Sequence, residues 1–192
     1  MIYKILFAVL VLAMNFIRLY YMKRYRLHHT KEHEIKPLRE KRLTQMMTLT
    51  MAVPGLLWLF TPWLAFGQFH LPGVVRIAGV VVGAYSMWWF YRIHKTLGDN
   101  WSPFLETRRE HTLIVSGAYR HTRHPMYSDM MLWTISFVLI TANWFYAATL
   151  SIGLAILLII RIPDEERLMT ARFGEQYRAY MAKTKRLIPY IY

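Results

Sequence analysis

Two short stretches hold most of the residues able to do chemistry. The first is Arg120-His121-Thr122-Arg123-His124-Pro125, followed at once by Met126 and Tyr127. Pro125 pushes His124 away from helical geometry and suits the first turn of a helix. His124 then sits at a helix N-terminus, where free N–H groups attract a carboxylate or another acceptor. The second stretch is Arg161-Ile162-Pro163-Asp164-Glu165-Glu166. Pro163 is placed to start a new helix, with three acids in a first turn that the helix dipole favours. This pattern reads equally as ordinary N-terminal capping and as part of a site. In the second reading, Arg161 and the adjacent carboxylates grip a zwitterionic ligand.

Several other chemistries are set aside. The chain has no cysteine, which excludes disulfides, a thiol nucleophile and a cysteine-based zinc site. No glycine-rich phosphate loop or dinucleotide fingerprint occurs. His28, His29 and His33 include an i, i+4 pair, but they lie in a basic segment without clear carboxylate support. His121 and His124 share that weakness, so no metal is expected. No Ser-His-Asp order is readable.

The elements that position these residues are apolar. Of 192 residues, 55% are hydrophobic and 16% aromatic, while 18% are charged, below the roughly 25% of soluble domains. The apolar residues concentrate in five segments, roughly Ile2–Tyr21, Gln45–Phe66, Leu71–Tyr91, Tyr127–Thr141 and Trp144–Ile160. A span needs about 20 residues, with a lower limit near 17. The first three segments satisfy this. The fourth borrows from His124-Pro125-Met126 or sits where the bilayer is thinned. Only Ala142-Asn143 separates it from the fifth, so the two form a tight helical hairpin or, alternatively, one re-entrant unit. Arg18 and Tyr20-Tyr21 stand where a signal peptide would carry small residues, so the first segment reads as a retained span. Pro54 falls inside the second span. Trp63, Trp88, Trp89, Trp133 and Trp144 lie near span ends, as in an interfacial belt.

The net charge of +13 is a topology signal rather than a nucleic-acid footprint. The connections Met22–Thr44 and Arg92–Met126 and the tail Arg161–Tyr192 hold 21 of the 24 Lys and Arg residues. The alternate connections hold none. The positive-inside rule makes the basic side cytoplasmic. The expected fold is therefore an all-α integral membrane protein with five transmembrane helices, N-terminus outside and C-terminus cytoplasmic. Residues 1–92 form spans one to three with the basic loop 22–44. Residues 93–192 form the catalytic region: connection 93–126, helical hairpin 127–160 and C-terminal helices 161–192. Within the connection, His111 to Val115 is rich in β-branched residues and reads as extended. In the tail, Tyr177, Tyr180 and Met181 mark an amphipathic helix ending near Lys185-Arg186. Leu187-Ile188-Pro189 packs back on the bundle.

These residues resemble a known family. Gly117-Ala118-Tyr119-Arg120, then Arg123-His124-Pro125-Met126-Tyr127, is similar to the first signature block of isoprenylcysteine carboxyl methyltransferases. Glu165-Glu166-x-Leu168, Phe173-Gly174-x-x-Tyr177-x-x-Tyr180 and Arg186-x-x-Pro189 resemble the second. The short form resembles the compact prokaryotic members, and phospholipid methyltransferases share the looser pattern. The resemblance implies a cytoplasmic pocket for S-adenosyl-L-methionine, with S-adenosyl-L-homocysteine as product. His111, Thr112, Leu113, Ile114, Tyr119, His124, Pro125, Met126 and Tyr127 would line that pocket, and Glu166 would bind the cofactor's amino group. Arg161 is the candidate for orienting an anionic acceptor, with Arg123 second.

The resemblance further implies a methyltransferase of the prokaryotic inner membrane, acting at its cytoplasmic side on a lipophilic or lipidated partner and on no nucleic acid. Carboxyl O-methylation of an isoprenylcysteine-like acceptor leads. A carboxylate needs no general base, whereas an amine or hydroxyl would call on Glu165 or His124. N-methylation of a phospholipid or amine is one alternative. A membrane reductase and a non-catalytic regulatory protein keeping the fold are others. Asp129 reads either as an acceptor-selecting group or as a solvated interfacial acid.

Overall fold

A computed structural model describes residues 1–28, 33–34, 37–107 and 112–189. Among these residues there are six α-helices: α1 (Ile2–His28), α2 (Pro37–Phe60), α3 (Gly73–Leu97), α4 (Pro125–Thr141), α5 (Trp144–Phe173) and α6 (Glu175–Lys183). Two two-residue strands, β1 (His33–Glu34) and β2 (Glu106–Thr107), pair antiparallel and tie the first connection to the third. Ladder pairing thus falls at 106–107 rather than in the expected extended run. Thr112 to Val115 belong to no strand, and His111 lies outside the described residues.

Among the described residues, four helices are long and apolar enough to cross a membrane: Ile2–Arg26, Leu38–Phe60, Gly73–Asn100 and Trp144–Phe173. Their outer faces expose large apolar side chains such as Leu12, Phe16, Val74 and Ile159, as a lipid-facing surface requires. The fourth expected span is the 17-residue helix α4, about 25 Å long at 1.5 Å per residue. Pro125 sets its start and Ala142, in the left-handed conformation (φ 47°), sets its end. Asn143 then caps α5 by accepting from Tyr146 N at 3.0 Å, while its amide donates to Leu64 O at 2.6 Å. The hairpin is therefore pinned to the loop after α2.

The apolar runs misplace the helix ends: most helices run longer, but α2 stops at Phe60, before the expected Phe66. α2 begins at Pro37, well before Gln45, because Leu, Arg, Glu and Lys continue a helix readily. The larger correction concerns Pro163. No helix starts there; α5 runs unbroken from Trp144 through Pro163 to Phe173. A proline costs one backbone hydrogen bond, which packed neighbours can offset. Here α2 holds the flanking charges, Arg161 through Glu40 and Asp164 through Arg39, so the turn cannot open. Gly174 (φ 53°) ends the helix, a conformation without penalty for glycine.

α3 and α4 pack closely at Gly79. A Cβ on Gly79 would stand 2.6 Å from Leu139 Cβ and 3.1 Å from the backbone of Ile140. Ser136 Oγ donates across the same seam to Gly79 O at 2.8 Å. Small residues that let backbones approach are the usual device where apolar burial gives no net drive. Gly79→Val is therefore expected to force α4 outward at about 1–3 kcal/mol. The thermal unfolding midpoint in detergent should fall; an unchanged midpoint would show that the seam is not tight. The core between the helices is aromatic, with Phe7 4.8 Å from Phe137 and 5.4 Å from Trp58.

Candidate active site

His124 is the residue before α4 and has non-helical backbone angles (φ −126°, ψ 58°), with Pro125 in the first turn. Its peptide N–H does not face a ligand. It donates to Arg186 O at 3.0 Å, beside Arg123 N to Lys185 O at 2.8 Å and Lys185 N to His121 O at 3.3 Å. The C-terminal tail therefore runs alongside 121–124, and Leu187 is buried against Tyr127 and Ile162. The expected return of the tail holds for Leu187 alone, since Ile188 and Pro189 are exposed, and the backbone pairing fixes its register.

The imidazole of His124 is buried and stacks on Tyr127 at 5.4 Å. Its Nε2 is 3.4 Å from Glu166 Oε1 and its Nδ1 is 3.8 Å from Glu165 Oε2. The two carboxylates have different company. Glu166 accepts from Arg123 Nε at 2.9 Å and from Arg186 Nη2 at 3.0 Å, and its side chain is 11% exposed. Arg123 also donates to Met181 O at 3.0 Å and to Thr184 O. This ion cluster fastens α5, α6 and the pre-α4 turn to one another. Among the described residues, Glu165 accepts a single 2.6 Å bond, from the Tyr127 hydroxyl. Tyr180 completes the clamp by donating to Tyr119 O at 2.6 Å and Thr122 O at 3.2 Å. Burial pushes its phenol up to about 12, so it stays a neutral donor.

The remaining charges of the 161–166 stretch find partners on α2. Asp164 pairs with Arg39, and Arg161 Nε lies 3.3 Å from Glu40 Oε2. Arg161 Nη2 also donates to Pro103 O at 2.9 Å. The reading of these acids as helix N-terminal caps is thus replaced by one of inter-helix ties. Glu40 is a residue that sequence reasoning misses; it looks like one more charge in a solvated basic loop. Asp129 is fully buried and accepts from Ser86 Oγ at 2.6 Å, which overturns its reading as a solvated acid.

These elements enclose a cavity of about 420 Å³, inside the ~300–1,000 Å³ range of small-molecule sites. At one end its wall carries Thr112, Leu113, Ile114, Tyr119, His124 and Tyr127. Met126, Arg123, Arg161 and Glu165 face the same space. Asn100 holds Thr112 there by accepting from its N–H at 3.0 Å. At the other end the wall is apolar, with Phe7, Val11, Met47, Met51, Phe137 and Leu150 from α1, α2, α4 and α5. Pro125 and Glu166 are not on the wall. The reason is helical phase: Arg161 and Glu165 are four residues apart and about 40° out of line, while Glu166 is about 140° from Arg161.

A helical membrane protein with a cavity charged at one end and apolar at the other is the class that fold and site define. Comparison narrows it. The model of the isoprenylcysteine carboxyl methyltransferase family matches residues 74–171, just over half of the sequence. The chain belongs to that family. Protein-S-isoprenylcysteine O-methyltransferase B of Arabidopsis thaliana is 29% identical over 98 residues, covering 50% of each chain. The Schizosaccharomyces pombe protein-S-isoprenylcysteine O-methyltransferase is 28% identical over 96 residues, 49% of this chain and 41% of that one. The Dictyostelium discoideum protein is 27% identical over 140 residues, 70% and 55%. The chain thus spans about half the length of the curated relatives it matches. The solved structure of the eukaryotic intramembrane Ras methyltransferase shares the fold, with a TM-score of 0.56 and 21% identity over 82% of this chain and 54% of that one.

Proposed function

We propose that this protein is an S-adenosylmethionine-dependent methyltransferase acting on a lipid-tailed acceptor, with carboxyl O-methylation of an isoprenylcysteine-like substrate as its reaction. The single observation that carries this is the continuity of the cavity, whose charged end opens into an apolar slot between α1, α2, α4 and α5. A polar reacting group and a hydrocarbon tail need that combination. The family's relatives are named for this reaction.

The residues present suit the cofactor. Leu113 and Ile114 offer apolar walls for an adenine, and Glu165 presents a carboxylate with one hydrogen-bonded oxygen to an ammonium. The family pattern gives the ammonium to Glu166, but that carboxylate is consumed by Arg123 and Arg186. We therefore assign the ammonium to Glu165, and to Glu166 the task of holding the wall in place. Bound there, S-adenosylmethionine supplies an electrophilic methyl group. The chain's own contribution is alignment and electrostatics. Arg161, fixed by Glu40 and Pro103, orients an anionic acceptor. His124 and Tyr127 shape the wall between acceptor and cofactor. A carboxylate acceptor arrives ionised, so no group here has to remove a proton.

In this reading α4 is a fifth, short span in a locally thinned bilayer. The basic connections and the C-terminus are cytoplasmic, and the membrane is the prokaryotic inner membrane. α5 has 30 residues, about 45 Å, so its last turns, with 161–173, project past a hydrocarbon core of about 30 Å.

The test supplies membranes containing the protein with methyl-labelled S-adenosylmethionine and N-acetyl-S-farnesylcysteine. Label released as volatile methanol by base identifies a methyl ester and supports the proposal. Label that resists base, or that appears in phospholipid amines, contradicts it. In calorimetry S-adenosylhomocysteine should bind and NADPH should not.

A further inference from the structure

Three cations line the cavity: Arg18, Arg123 and Arg161. Two of them are anchored by the protein, and they differ in what they keep: the Arg161 contacts go through Nε and Nη2, which leaves Nη1 for a ligand. Arg123 is spent on Glu166 and two carbonyls, whereas Arg161 is held in place by Glu40 and Pro103 O. Arg18, near the inner third of α1, makes no hydrogen bond or ion pair among the described residues. It is half-buried and close enough to Arg161 for the two charges to repel. A charged side chain within a membrane helix needs a partner or water. Of the two carboxylates on the cavity wall, Asp129 is tied to Ser86, and Glu165 is bonded to Tyr127. Neither is a partner of Arg18.

We propose that Arg18 binds the anionic head of the acceptor, facing Arg161 across the cavity, and so selects a carboxylate-bearing lipophile over a neutral or cationic one. This rests on the reading of the cavity as the acceptor site and deepens it. Two guanidiniums on one carboxylate give charge-assisted, directional bonds that an amide or amine cannot match. Arg18 stands on the α1 side and Arg161 on the α5 side, so they fix the head where the charged end meets the apolar slot. The tail then runs along Val11 and Met47. Arg18 is a positioning and specificity residue. Its loss weakens binding of the acid, while Arg161 still orients the carboxylate and the cofactor end is unchanged.

The experiment compares N-acetyl-S-farnesylcysteine with its carboxamide, used as a competitor, on the wild-type chain and on Arg18→Met and Arg18→Lys. In the wild type the acid should bind at least ~10-fold more tightly than the amide. In Arg18→Met the KM for the acid should rise roughly 10- to 100-fold, with kcat changed far less and the inhibition constant of the amide unchanged. Arg18→Lys should keep part of the preference for the acid. S-adenosylhomocysteine affinity should be the same in all three. An Arg18→Met protein that still prefers the acid overturns the proposal and leaves Arg18 reaching only for lipid phosphate. Loss of S-adenosylhomocysteine affinity in both variants overturns it too, by placing Arg18 in the framework. A wild-type chain that binds S-adenosylhomocysteine but neither binds nor methylates the acid overturns the proposed function itself, and this inference with it.

Discussion

Replacing Glu165 with glutamine is expected to weaken S-adenosylhomocysteine binding roughly 10- to 100-fold while leaving the unfolding midpoint nearly unchanged. The asymmetry arises from what Glu165 touches. It makes one hydrogen bond, from the Tyr127 hydroxyl, and a glutamine carbonyl can accept that bond as well. Its side chain is 33% exposed, and the buried Arg161, which feels its charge, keeps Glu40 as ion-pair partner when that charge is removed. The lost term is the attraction between a carboxylate and the ligand's ammonium, in a cavity whose walls are largely apolar. Calorimetry on purified protein reads the affinity, and a thermal scan reads the fold. Equal affinities for the variant and the wild type would remove Glu165 from the cofactor site. A lowered midpoint would make it a structural residue instead.

How far these roles can be read from sequence depends on whether a local pattern records them. The helices are legible, since long apolar runs have few other uses. Their ends are not, because the charged residues 39–42 continue α2 as favourably as apolar ones. Pro163 looks like a helix start because its missing N–H suits that position. What keeps α5 intact are ties from Arg161 to Glu40 and from Asp164 to Arg39. These partners lie more than a hundred residues away and leave no mark on the local sequence. The site shows the same division. His124, Tyr127, Arg161 and Glu165 emerge from residue types in two blocks, and the structure brings all four to one cavity wall. The choice between Glu165 and Glu166 is not legible while a helix is taken to begin at Pro163. A continuous α5 carries the phase of Arg161 onward and puts only Glu165 on its side. The pairing of the tail with 121–124 uses backbone groups, which every sequence possesses, so no side-chain pattern announces it. Arg18 stands out in the sequence only as a residue unsuited to a signal-peptide cleavage site.

Glu166→Gln should behave in the opposite way to Glu165→Gln. Its carboxylate faces Arg123, whose side chain is 10% exposed, and Arg186, which is more open to water and contributes less. Removing the charge leaves the Arg123 guanidinium buried against a neutral amide, which by analogy with other broken buried pairs costs about 3–5 kcal/mol. The elements that loosen are those the cluster joins: α6, the tail at 184–187 and the turn before α4. Proteolysis near Gly174, the hinge between α5 and α6, should therefore accelerate, and the unfolding midpoint should fall. Cofactor affinity should fall with it, because Tyr177 and Tyr180 reach the cavity from α6. A double-mutant cycle separates this from a direct role in binding. If Glu166 and Arg123 act as one structural unit, the stability loss of Glu166→Gln combined with Arg123→Met should be well below the sum of the two single losses. Full additivity, or lost affinity at an unchanged midpoint, would instead return Glu166 to the ligand. Two adjacent glutamates would then share the ammonium, and the ion cluster would be a consequence of the site rather than its support.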